Sequence, residues 1–70
     1  MSFELPLAFD GHVARLLVTH LPTGAWYVET QVDGRSLGWE QFRFRGQVDR
    51  FRIRMQQWLS QVDARPPKTT

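Results

Sequence analysis

The chain is expected to fold as an α+β domain of ββββα order: a four-stranded antiparallel meander with one C-terminal helix packed on one sheet face. Three observations lead there. Asp10-Gly11 and Asp33-Gly34 each sit between apolar-rich runs, and Asp-Gly is a strong short-range hairpin signal because it accepts positive backbone angles. From residue 47 the apolar spacing changes from period two to the helical period. Pro66-Pro67 then ends the helical pattern, with Arg65 before it pushed toward extended backbone.

With a two-residue turn at Asp10-Gly11, Phe9 faces His12, Leu7 faces Ala14, Leu5 faces Leu16 and Phe3 faces Val18. Side chains alternate along a strand, so these pairs share the face expected to be core. The opposite face carries Glu4, Pro6, Ala8, Val13, Arg15 and Leu17. Pro6 cannot donate a ladder bond, which makes the first strand an edge or an interrupted strand. Leu21-Pro22-Thr23-Gly24 joins the two hairpins as a loop.

In the second hairpin Val32 faces Arg35, Thr30 faces Leu37, Val28 faces Trp39 and Trp26 faces Gln41, all on the apolar side. Tyr27, Glu29, Gln31, Ser36 and Glu40 fall on the open side. Continued without interruption, this register would turn Arg43 and Arg45 into the core and Phe42 and Phe44 out of it. Buried unpaired arginines cost far more than a bulge, so a bulge near Glu40-Gln41 is expected, bringing both phenylalanines inward.

Gly46 is expected to end the fourth strand, and residues 47 to about 63 form the helix. At the helical 3.6 period, Val48, Phe51, Met55, Trp58, Leu59 and Val62 lie within about a 100° arc, the buried stripe of an amphipathic helix. Asp49 falls in the first turn, where the helix dipole favours a negative charge. The domain therefore spans residues 1–63, and residues 64–70, Ala-Arg-Pro-Pro-Lys-Thr-Thr, are expected to be a disordered tail.

Composition narrows the function. With 70 residues and no cysteine, the chain holds one small domain without disulfides or thiolate chemistry. The N-terminal segment lacks the basic start and apolar stretch of a signal peptide. No apolar run approaches the ~20 residues of a membrane span. The expected location is the cytoplasm. The net charge of +2 is unevenly spread. Residues 1–42 carry two arginines against five acids, and residues 43–70 carry six arginines and Lys68 against Asp49 and Asp63. Such asymmetry suggests an anionic partner, and fits equally a monomer whose acidic sheet meets its own basic helix or a dimer that pairs opposite ends.

The arginines are the first candidate site. Arg50 and Arg54 share a helix flank with Gln57 and Gln61, spanning about 60° at the helical period. Arg52 lies on the opposite flank, within i,i+3 reach of Asp49. Arg43 and Arg45 project from the end of the fourth strand. Arginine holds phosphate bidentately and stacks on bases. Tyr27, on the open sheet face, is placed to stack a base as sheet-based single-strand binders do. The nucleic-acid-binding set expected is therefore Arg43, Arg45, Arg50, Arg54 and Tyr27.

A homodimer or protein partner on the open face would equally account for Val13, Leu17 and Tyr27 there. The other aromatics, Trp26, Trp39, Trp58, Phe3, Phe9, Phe42, Phe44 and Phe51, are expected in the core. Ile53 points away from the helix stripe. His12 and His20 do not form a convergent ligand set, and no metal or cofactor is expected. Ser2, Ser36 and Ser60 have no evident base partner, and no glycine-rich loop enters a helix, so no catalytic set is expected.

The ββββα order resembles the single-stranded-DNA-binding fold of transcriptional coactivator and plant Whirly-type proteins. The likeness is one of element order, and those families carry many lysines in their strands where this chain has few. It implies single-strand binding; in this chain Arg43, Arg45, Arg50 and Arg54 would hold phosphates and Tyr27 would stack a base. The alternative expectation is a homodimeric or accessory protein-interaction domain.

Overall fold

The computed structural model describes residues 1–64. The tail expected to be disordered lies, from residue 65 onward, outside the described residues. Four strands, β1 (Ser2–Leu7), β2 (Ala14–His20), β3 (Trp26–Val32) and β4 (Arg35–Phe42), precede one helix, α1 (Arg45–Ala64). The sheet runs β1-β2-β3-β4 with every pair antiparallel. This is the ββββα architecture expected from the sequence.

The first hairpin has the expected register, with Phe3 opposite Val18, Leu5 opposite Leu16 and Leu7 opposite Ala14. The ladder stops at Leu7 and Ala14, but the turn still closes. The His12 amide donates to the Phe9 carbonyl at 3.0 Å, and the two rings stack at 4.5 Å. In the second turn Asp33 and Gly34 both take positive φ, 53° and 80°, the primed geometry that matches strand twist.

Leu7, Ala14, Leu16, Val18 and Val28 form the buried sheet face, and Val48 and Leu59 of α1 pack on it. Phe3, Leu5, Phe9, Trp26, Val32, Phe42, Phe51 and Met55 surround this core partly buried. Each fully buried aliphatic side chain contributes about 1.5–3 kcal/mol.

The helix begins at Arg45, two residues earlier than the periodicity suggests, because Gln47 caps it. Its side-chain oxygen accepts from the amides of Arg43 and Phe44, both at 3.0 Å, as the third residue of a capping box does. Gly46 therefore lies in the first helical turn and does not end β4. Asp49 moves one turn into the helix, where it accepts from Arg45 at 3.4 Å.

The bulge is real but sits elsewhere. Val32 pairs with Arg35 and Gln31 with Ser36, and then Thr30 pairs with Gly38, so Leu37 is the extra residue. Gly38 has φ 131°, a conformation that essentially only glycine adopts. Its amide donates to the Ser36 hydroxyl at 3.3 Å. A bulge at Leu37-Gly38 shifts the phase of β4 earlier than one at Glu40-Gln41 would. Trp39 therefore opposes Glu29 on the open face, and Glu40 opposes Val28 on the helix side. Both reverse the expected placement. Phe42 faces inward as expected, 5.5 Å from the ring of Phe51. Phe44 does not. It lies beyond the strand at the helix start and is 68% exposed.

Candidate interaction surface

The two edges of the sheet differ in how they are treated. Along β1, Pro6 removes one donor. Side chains of α1 occupy the backbone beside it. Arg52 donates to the Pro6 carbonyl at 3.3 Å. Gln56 accepts from the Ala8 amide at 2.7 Å and donates to the Ala8 carbonyl at 2.8 Å. The helix thus covers the C-terminal end of that edge, at Pro6 and Ala8.

β4 is the opposite edge, and all of its residues except Phe42 are exposed. It contains neither proline nor lysine, and its protection against pairing is the Leu37-Gly38 bulge and the inward-facing Glu40. A cleft of about 600 Å³ opens between α1 and β4. Leu37, Phe42, Phe51, Met55 and Trp58 supply its apolar walls, and Glu40 and Arg54 its charges. Leu37 is 53% exposed and Trp58 51%, so Trp58, expected in the core, forms the rim of the cleft. Among the described residues Glu40 and Arg54 make no ion pair.

On the far side of the sheet, rows of residues run across the strands: Glu4, Leu17, Glu29 and Trp39 in one, Pro6, Arg15, Gln31 and Ser36 in the next. Arg15 donates to Glu4 at 3.2 Å and to Gln31 at 3.3 Å. Tyr27 stacks on Trp39 with ring centres 5.0 Å apart. Leu17 is half-buried between Glu4 and Glu29, and Val13 is exposed at the start of β2. Glu29 does not share this face with Glu40.

The five residues expected to bind nucleic acid are spread over two faces. Arg50 and Arg54 stand on the helix, flanking Ile53. Arg45 lies over the rings of Phe3 and Trp26, 5.0 and 5.5 Å from their centres, a cation–π arrangement, and also holds Asp49. Arg43 borders a shallow cleft with Phe44 and the 23–25 loop. Tyr27 is on the opposite sheet face from the helix, beside the carboxylate row. The helix and strand arginines and Tyr27 do not make one continuous surface.

His12 reaches the Asp33 carboxylate at 2.5 Å. The Val13 amide donates to the same carboxylate at 3.0 Å. These contacts, the Val13 amide first and then His12, hold the Asp33 carboxyl below its ordinary value of 3.8. His20 stacks flat on Trp26 at 3.9 Å. Among the described residues no group of three or more metal-ligating side chains converges, and no helix is long and apolar enough to cross a membrane.

The sequence reading misplaced Leu37, Trp39, Glu40, Trp58 and Val62: Glu40, expected on the open face, stands on the helix side, and the other four, expected in the core, are exposed. The signal for the first three was present. An isolated glycine inside a strand marks a bulge, and placing it at Gly38 gives the observed facing of Trp39 and Glu40. No family model matches the chain, and comparison with curated proteins and with solved structures returns no similar protein.

Proposed function

We propose that this chain is a non-enzymatic protein-interaction module whose docking surface is the β4 edge together with the cleft between β4 and α1. The observation that carries this reading is the asymmetry of the two edges. Pro6, Arg52 and Gln56 hold the C-terminal end of β1, whereas β4, interrupted by its bulge at Leu37-Gly38, is exposed along its length beside Leu37, Trp39 and Trp58. A free strand edge offers backbone donors and acceptors for strand addition, and neighbouring apolar pockets add specificity. The Arg-rich nucleic-acid reading has less support, because its arginines and Tyr27 occupy different faces and Glu29 lies two residues along the same strand face from the stacking ring.

A photo-crosslinking residue in place of Leu37, activated in the cells that make the protein, is expected to capture protein. The same residue in place of Ala8, where Gln56 holds the backbone, is expected to capture none. Equal capture at both positions, or capture of nucleic acid alone at position 37, would overturn the reading.

A further inference from the structure

The cleft beside β4 carries one charge of each sign on opposite walls. Glu40 projects from the strand and Arg54 from the helix, and within the chain each lacks an ion-pair partner among the described residues. The remaining lining is apolar or aromatic. A surface of this kind is complementary to itself. A two-fold axis brings residue i of one copy to residue j of the other, and j to i. Resting on the reading of β4 as the docking edge, we infer that its occupant is a second copy of this chain, joined β4 to β4 about a two-fold axis, with Glu40 of each protomer meeting Arg54 of its partner.

The topology suits this arrangement. Every strand pair in the sheet is antiparallel, and a strand related to its own copy by a two-fold axis across the edge is also antiparallel. The antiparallel pattern therefore continues into the copy on either side of the Leu37-Gly38 bulge. Both helices then lie on the same face of the joined sheet. The flanks bearing Arg54 and Trp58 face the junction from either side. The two clefts merge into one groove that covers Leu37 and Phe42 of both copies. On the other face each Tyr27–Trp39 stack approaches the junction, so aromatic rings line both sides of the seam.

Size supports the same conclusion. A standard interface removes roughly 800 Å² per partner, about 15% of this chain's 5324 Å² of accessible surface. Domains this small bury a low fraction of their surface when alone. A nucleic acid in the same groove would set its phosphates against Glu40.

Sedimentation and native mass spectrometry of four samples test the inference: wild type, Glu40→Arg, Arg54→Glu, and an equimolar mixture of the two variants. Circular dichroism first establishes that each variant is folded. The wild type is expected to dimerise, and each single variant to associate at least about tenfold more weakly, because like charges then face each other twice. In the mixture one protomer carries two cations in its cleft and the other two carboxylates. A heterodimer of the two variants is therefore expected to form where neither homodimer does. Arg50→Glu makes the same change of net charge outside the cleft and is expected to leave the dimer intact.

A wild type that is monomeric at high concentration would overturn the inference. So would a dimer indifferent to both substitutions at Glu40 and Arg54, or a mixture of monomeric variants that forms no heterodimer. The docking reading fails separately. A monomeric chain whose position 37 captures a different protein leaves β4 as a docking edge with another occupant. A monomeric chain that captures no protein there removes both.

Discussion

Replacing Gly38 with alanine isolates the feature that arranges the whole interaction surface. The bulge at Leu37-Gly38 requires φ 131° at Gly38, where an L-residue with a Cβ is strained by about 1–3 kcal/mol. No heavy atom lies within 4 Å of the position an added Cβ would take, so steric overlap adds nothing and the effect is backbone strain alone. For a domain of this size, about 1 kcal/mol corresponds to roughly 4–8 °C in Tm. Gly38→Ala is therefore expected to lower Tm by about 4–24 °C. Urea unfolding followed by tryptophan fluorescence, at one fixed protein concentration, gives the free energy directly. The relaxed alternative is a β4 without the bulge, with Trp39 turned to the helix side, and the tryptophan emission would then shift to the blue. A variant as stable as the wild type with unchanged emission would refute the argument, because it would mean that the observed backbone at Gly38 is not needed to place Trp39 and Glu40.

Two further outcomes follow from other contacts. Gln56→Ala removes both bonds to Ala8, at about 0.5–1.5 kcal/mol each; the urea midpoint is expected to fall and hydrogen exchange at the Ala8 amide to quicken, while Gln57→Ala, exposed one residue on, changes neither. The Asp33 carboxyl titrates below 3.8 in the folded chain, so its stabilising contribution is fully present above that ordinary value and is lost as pH falls through the lowered one; carbon-detected NMR of the carboxyl should show a midpoint below 3.8, Asp33→Asn should flatten this part of the acid stability profile, and a midpoint at or above 3.8 would contradict the geometry around His12 and Val13.

Short-range chemistry by itself determined most of the architecture. The two Asp-Gly turns set both hairpins, and counting outward from them placed Phe3, Leu5, Leu7, Ala14, Leu16 and Val18 on one face in the observed register. The 3.6-residue spacing of Val48, Phe51, Met55 and Leu59 identified the helix and its buried stripe. These features depend on neighbours in the chain, and their signals lie within a few residues of one another. The facing of β4 was only half legible. The need for a bulge followed from the arginines, but its position followed from Gly38, whose backbone freedom admits the φ that shifts the phase. Tertiary structure alone decided the surface. Arg52 and Gln56 tie the helix to Pro6 and Ala8, while Trp58 of the apolar stripe is left at a rim beside exposed β4. Periodicity reports which side chains share a helix face. Which of them reaches the sheet depends on where that helix docks, and the docking involves core packing and hydrogen bonds between residues more than forty positions apart in the chain.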